Sequence, residues 1–188
     1  MTTYYKKIEL DVDHSVFNID KLKGDKLFEY GDNIGYFNIP DESYIHSIFS
    51  PLFKIPPLAI WLVQARAELI PHIDNGSTSC LNYYIRPNNL ITKFWKPMEN
   101  ARKIKGLRKN AITKSYEVVE LSYVKEDLIL ADTFTAGENE AYLLNTGEIH
   151  SVERPEGNTQ KGRFEFPRTM IQLQWNLDMD DLIEQLGV

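Results

Sequence analysis

The amino-acid sequence predicts a mainly β protein, folded as a single domain over residues 1–188 with a few flanking helices. Short runs rich in aromatic and β-branched residues have the composition of strands. Turn signals built from Gly, Pro, Asn and Asp separate these runs at short intervals. No amphipathic helix stands between successive strands, so the pattern favours a sandwich or barrel over βαβ units.

Seven segments carry the strand signal, because each combines aromatic and β-branched residues between turn signals. They are AIWLVQARAELI (59–70), SCLNYYI (79–85), KSYEVVELSYV (114–124), DLILADTFTA (127–136), EAYLLN (140–145), HSVER (150–154) and TMIQLQW (169–175).

Two segments predict helices. In DESYIHSIFSPLF (41–53) the apolar residues share one face, and Asp41 is a candidate N-cap. In DMDDLIEQLG (178–187) apolar residues recur at helical spacing, and Gly187 stands where the helix should end.

Composition narrows the functional classes. The formal net charge is −6 and the sequence pI is about 5.3, which argues against a general nucleic-acid-binding protein. One basic segment, 96–114, departs from this average and predicts a solvated loop or helix face.

The chain has a single cysteine, Cys80, so it cannot form an intrachain disulfide, as is usual for a protein of a reducing compartment. The first residues lack the apolar core of a secretory signal, and no apolar run approaches the roughly 20 residues that span a bilayer. We therefore expect a soluble, cytoplasmic protein with no membrane association.

The stretch PHIDNGS contains a candidate metal site. His72 and Asp74 are two residues apart, so in an extended segment both side chains point to the same face. An imidazole and a carboxylate are two of the three ligands in the facial triad that binds non-haem Fe(II). Among the four histidines, His150 is best placed to complete it, because it opens a predicted strand. Alternatively, Asp74 begins a plain Asp-Asn-Gly turn, and His150 is a half-buried histidine bonded to a backbone carbonyl.

An arginine is the expected partner of a dicarboxylate co-substrate such as 2-oxoglutarate, since its planar fork matches a carboxylate. Arg168 lies at the head of the final predicted strand, and Arg163 in KGRFEF is the alternative. Arg168 could instead form a surface ion pair with Glu165 or Asp178.

Four elements in this order resemble the 2-oxoglutarate/Fe(II)-dependent dioxygenases: HxD, LNYYI, AYLLNTGEIHSV and RTMIQLQW. The likeness is greatest to the aspartyl/asparaginyl β-hydroxylase-like and phage or marine-bacterial branches, and it covers residues 60–175. It implies a double-stranded β-helix (jelly roll, cupin-like) in which His72, Asp74 and His150 bind iron.

The resemblance also implies a co-substrate site. Arg168, or Arg163 in its place, would pair with a carboxylate of 2-oxoglutarate, and Asn82 and Tyr84 would contact the co-substrate from one face of their strand. No catalytic side chain is expected beyond the metal ligands. Five aromatic side chains are candidates for the pocket lining: Tyr83, Tyr84, Phe94, Trp95 and Trp175.

The chain departs from the family in two ways. The interval between His150 and Arg168 is longer than the family's usual spacing, which implies an inserted loop. Arg163 therefore remains the alternative arginine for 2-oxoglutarate. Asp74 fits the broad superfamily better than the aspartyl β-hydroxylases, which lack the carboxylate ligand.

The expected function is a 2-oxoglutarate- and Fe(II)-dependent oxygenase, a hydroxylase of a peptide, amino acid or small metabolite, with ascorbate as an in-vitro reductant. A non-catalytic cupin-like binding or structural protein and a facial-triad metalloenzyme that does not use 2-oxoglutarate are the alternatives. The sequence leaves the substrate and the oligomeric state open.

Overall fold

The structure is a computed structural model. It describes residues 2–10, 17, 19–30, 33–40, 45, 49, 54–74, 76–110, 112–158 and 162–188. Within these ranges the chain is mainly β, as predicted. The strands are β1 (Tyr5–Ile8), β2 (Lys26–Tyr30), β3 (Ile34–Phe37), β4 (Ala59–Ala65), β5 (Leu69–His72), β6 (Ser79–Arg86), β7 (Ile91–Pro97), β8 (Lys103–Asn110), β9 (Tyr116–Tyr123), β10 (Leu128–Thr135), β11 (Glu140–Leu144), β12 (His150–Glu153) and β13 (Arg168–Trp175).

Two α-helices have both ends within the described residues and flank the strands, α1 (Ile19–Leu22) and α2 (Met179–Leu186). The predicted C-terminal helix is confirmed as α2. It ends at Gly187, whose φ of 72° is a left-handed conformation that favours glycine. The predicted helix 41–53 lies mostly outside the described residues.

All strand pairs are antiparallel, and the hydrogen-bonded order is β1-β11-β6-β13-β4-β3-β2-β8-β9-β5-β12-β7-β10. This ladder folds back on itself so that its two ends meet. The ring centroids of Tyr5 on β1 and Phe134 on β10 are 4.6 Å apart. The Tyr5 hydroxyl donates a hydrogen bond to the Thr133 carbonyl, at 3.1 Å. The strands therefore form two facing antiparallel layers, an arrangement consistent with a β-sandwich. The first layer contains β1, β11, β6, β13 and β4, and the second contains β5, β12, β7 and β10.

The segment 59–70 has the predicted strand structure, but it contains β4 and the start of β5, because the chain changes layer within it. β4 pairs with β3 and β13, whereas β5 pairs with β9 and β12. The intervening turn is anchored by the Arg66 N–H, which donates to the Asn33 carbonyl at 2.7 Å. An unbroken strand could not belong to both layers, and this crossing carries His72 to the layer opposite β13.

β6 shows how the sheet separates two apolar environments. Leu81 and Tyr83 belong to the core between the sheet and the helices. Cys80 and Tyr84 belong to the core between the layers. Since successive strand residues point to opposite faces, a strand buried on both faces reads as the continuous apolar run seen in the sequence.

The basic segment 96–114 is neither a loop nor a helix face along its length. It contains the end of β7 and the whole of β8, which pairs with β2 and β9. The described residues contain no helix that is long and apolar enough to cross a membrane.

Leu182 of α2 is fully buried in the helix-side core. Leu182→Ala should lower the free energy of unfolding by about 2–5 kcal/mol, because it removes buried methyl groups and leaves a cavity. Urea denaturation measures this change. The exposed Glu184 on the same helix is the matched control, and Glu184→Ala should change stability by less than about 0.5 kcal/mol. Equal effects would contradict this docking of α2.

Candidate metal centre

The structure brings His72, Asp74 and His150 together. His72 and His150 are directly opposite each other in the pairing of β5 with β12. The Nε2 atoms of His72 and His150 lie 3.6 and 3.7 Å from the same oxygen, Oδ1 of Asp74. One ligand atom from each residue falls within 4.8 Å of the others, so the three donors can meet at one ion.

The backbone fixes which ring nitrogen each histidine offers. His72 Nδ1 lies 2.7 Å from the Ile70 carbonyl oxygen, and His150 Nδ1 lies 3.0 Å from the Glu148 carbonyl oxygen. A carbonyl only accepts, so each Nδ1 carries the proton. The Nε2 atom of each ring then faces the Asp74 carboxylate. Three electron-rich atoms at this separation require a positive charge between them, either a proton or a metal ion. Backbone-oriented imidazoles are typical of metal-binding histidines.

The three groups shift one another's pKa. Burial by itself would lower the pKa of His72, but its close contact with Asp74 and the negative charge of that carboxylate raise it. Burial and the neighbouring His72 lower the pKa of His150 to about 4. Burial by itself would raise the pKa of Asp74, but the two histidines lower it. The centre therefore keeps one carboxylate ionised and one imidazole neutral at neutral pH.

Asp74 is held just beyond the end of β5. Its N–H donates to the Thr146 carbonyl at 3.0 Å, in the turn between β11 and β12. Gly76, with φ of 95°, takes the left-handed conformation of the expected turn, while Asn75 lies outside the described residues. The turn and the ligand role are therefore compatible. The carbonyl bond expected for a structural His150 is also present, and it leaves Nε2 facing Asp74.

A pocket between the two layers adjoins the centre. Its empty volume is about 490 Å³, including the solvent-open space at its mouth. Its lining combines apolar and polar side chains. The polar ones are His72, Asp74, Asn82, Tyr84, Thr92, Thr146, His150, Arg168 and Gln172.

Arg168 is buried in this pocket, with 1% of its surface exposed. Its Nη2 donates to the Thr92 hydroxyl at 3.2 Å, and its guanidinium lies 4.7 Å from the centre of the Tyr84 ring. Nε and Nη1 have no hydrogen-bond partner among the residues that the structure describes. Burial lowers the pKa of Arg168. This environment is incompatible with the surface ion pair considered above.

The other predicted residues fall into two groups. Asn82 and Tyr84 line the pocket, whereas Arg163 is exposed in the loop before β13 and does not line it. Of the five aromatic candidates, Tyr84 lines the pocket. Tyr83 and Trp175 lie in the helix-side core, because their positions on the strands point to the opposite face.

Sequence reasoning missed Thr92 and Gln172. Thr92 lies on β7, a strand absent from the prediction although ITKFW follows the turn signal RPNN. Gln172 lies within a predicted strand, and its parity with Arg168 could have placed it in the pocket.

No family model, curated protein or solved structure matches this chain. The resemblance to 2-oxoglutarate/Fe(II)-dependent dioxygenases therefore rests on the residues of this chain alone.

Metal binding at this centre should depend on pH, because a metal must displace any proton from Nε2. The pKa of His72 lies above its ordinary value of 6.5. Mn(II) affinity, measured by calorimetry, should be constant above this pKa and fall about tenfold per pH unit below it. His72→Ala should abolish binding. Affinity that does not change with pH, or that survives in the variant, would contradict this assignment.

Proposed function

We propose that this protein is a 2-oxoglutarate- and Fe(II)-dependent oxygenase, a hydroxylase built on a double-stranded β-helix. The observation that carries the proposal is the buried Arg168, which lines the same pocket as His72, Asp74 and His150. Two of its nitrogens find no hydrogen-bond partner within the described part of the chain. A buried cation without a counter-ion is costly, so an anion that fills the pocket would compensate it.

The donor set fits Fe(II). Two imidazoles and one carboxylate form the facial triad of non-haem iron oxygenases, which leaves positions open for other ligands. When bound, iron and 2-oxoglutarate together supply the activation of O2 that oxidises a C–H bond. The histidines would contribute Nε2 and Asp74 its carboxylate, with both rings held by the Ile70 and Glu148 carbonyls.

Arg168 would bind the carboxylate of 2-oxoglutarate remote from the metal. Thr92 holds the guanidinium through Nη2, and Tyr84 covers one of its faces. The remaining N–H groups are then available to the carboxylate, and such charge-assisted hydrogen bonds are about twice as strong as neutral ones.

The apolar part of the lining would exclude water from the reacting atoms. Ile34, Val63, Leu144, Val152 and Met170 line the pocket alongside the polar residues. In a dry pocket electrostatic interactions are stronger and competing reactions of the oxidant are suppressed. The substrate is proposed to be a peptide, an amino acid or a small metabolite.

The co-substrate assignment predicts a metal-dependent rise in thermal stability. With Mn(II) bound, 2-oxoglutarate at 100 times its Kd should add about 2.7 kcal/mol to the free energy of unfolding, because it binds only the folded state. Differential scanning fluorimetry measures the shift, and succinate release with Fe(II) and ascorbate tests turnover. Stabilisation by metal with no effect of 2-oxoglutarate would instead favour a facial-triad enzyme with another co-substrate. No effect of either ligand would contradict the proposal.

Arg168→Met should change stability and binding in opposite directions. Replacing an uncompensated buried cation by an apolar chain should raise the unfolding free energy of the ligand-free protein by about 1 kcal/mol. The same change should weaken 2-oxoglutarate at least tenfold, through the loss of charge-assisted hydrogen bonds. Chemical denaturation and calorimetry give the two values.

The exposed Arg163 offers a matched control. Arg163→Met should leave both the unfolding free energy and the affinity for 2-oxoglutarate near wild type. If Arg163→Met weakened 2-oxoglutarate and Arg168→Met did not, the assignment of the arginine would be wrong.

A further inference from the structure

A line of side-chain hydrogen bonds runs along the pocket face of the first layer and ends at Tyr84. Trp61 Nε1 donates to Gln174 Oε1 at 3.2 Å, and Gln174 Nε2 donates to Gln172 Oε1 at 2.8 Å. Gln172 Nε2 donates to Asn82 Oδ1 at 3.1 Å, and Asn82 Nδ2 donates to the Tyr84 hydroxyl at 3.3 Å. We call these five residues the amide chain.

The amide chain has a fixed direction. The indole N–H of Trp61 can only donate, so Gln174 must present its carbonyl oxygen to it. Each following amide is then set in turn, with its oxygen accepting and its nitrogen donating. At the far end the Tyr84 oxygen accepts from Asn82, so the hydroxyl proton of Tyr84 points away from the chain.

Directed away from the amide chain, that proton is available to an anion bound at Arg168. The Tyr84 ring lies against the Arg168 guanidinium, and both residues line the pocket with Thr92. Arg168 has only donors, so it cannot accept the proton. The groups that can accept it, the Thr92 hydroxyl or a bound carboxylate, are on the pocket side.

We propose that the amide chain makes Trp61, Gln174 and Gln172 positioning residues, which keep the Tyr84 hydroxyl as a hydrogen-bond donor to the carboxylate held by Arg168. The inference rests on the proposed function, because it takes 2-oxoglutarate as the anion. None of the three touches the metal ligands in the hydrogen bonds described above. Their effect on the co-substrate passes through Asn82 and Tyr84.

Without this constraint Tyr84 would have a competing arrangement. If Gln172 no longer donated to Asn82 Oδ1, this oxygen would keep only the weak thiol donor of Cys80, at 3.6 Å. The Asn82 amide could then rotate by half a turn and present its oxygen to Tyr84, because a thiol sulfur also accepts a hydrogen bond from the amide nitrogen. The hydroxyl would then donate to Asn82, and its oxygen lone pairs would face the anion. The carboxylate would lose one hydrogen bond and meet a repulsive contact.

A double-mutant cycle tests the inference, with 2-oxoglutarate binding to the Mn(II)-loaded protein measured by calorimetry. Gln172→Leu should raise the Kd for 2-oxoglutarate about tenfold and leave the Kd for Mn(II) unchanged, as expected for one lost hydrogen bond to a charged group. Tyr84→Phe should have a similar effect. The double variant should bind within about twofold of Tyr84→Phe alone, because both changes remove the same interaction.

Two further variants sharpen the test. Gln64 on β4 is as buried as Gln172, with 6% of its surface exposed against 5%, but it does not line the pocket. Gln64→Leu should therefore leave both Kd values unchanged. Trp61→Phe keeps an aromatic ring, although a smaller one, and removes the indole N–H that starts the chain. It should raise the Kd for 2-oxoglutarate two- to threefold, an effect of about 0.5 kcal/mol.

Each contrary outcome has a distinct meaning. If wild-type protein with Mn(II) does not bind 2-oxoglutarate, the proposed function fails and this inference fails with it. If wild type binds but the losses in the cycle are additive, the inference alone is overturned. It is also overturned if Gln64→Leu matches Gln172→Leu, if Gln172→Leu weakens Mn(II) equally, or if Trp61→Phe binds as wild type does.

Discussion

The candidate site depends on one backbone constraint, the antiparallel pairing of β5 with β12 that sets His72 opposite His150. The pairing is possible because the chain leaves the first layer after β4 and enters the second as β5. Asp74 then comes directly after the strand, where its N–H is bonded to the Thr146 carbonyl. The pocket lies between the layers, so β13 can present Arg168 to it from the opposite side.

The two faces of the first layer have different roles, because one stabilises the fold and the other lines the candidate site. Its helix-facing side is apolar and fully packed, with α2 docked on it. Its pocket side carries a buried guanidinium and several amides, which are costly to desolvate unless they are paired. The apolar face therefore has to offset the cost of the polar one. Alternation along β6 and β13 allows this, because neighbouring residues serve opposite faces.

The features that can be predicted from the sequence are those that a local residue pattern determines. The seven strand segments and the C-terminal helix are each recognisable from the residues that they contain. Asn82 and Tyr84 are two residues apart in a strand, so their position on one face is also predictable. The layer crossing after Ala65 has no local signal, since AIWLVQARAELI has strand composition throughout. β8 was missed because its lysines resemble a solvated segment, although pairing with β2 and β9 makes it a strand. Side-chain hydrogen bonds between strands that are distant in sequence, such as that of Gln172 with Asn82, can be predicted only when the pairing register of the strands is known.

Charge balance links the metal centre to the arginine. With neutral imidazoles, a divalent metal and Arg168 together carry three positive charges, against the single negative charge of Asp74. A buried site with this excess is unfavourable, and the dianion 2-oxoglutarate would neutralise it. A neutral or singly charged co-substrate would leave a net charge buried. In the proposed complex the same balance would make metal binding favour co-substrate binding, since Arg168 and the metal would each attract one of the two carboxylates.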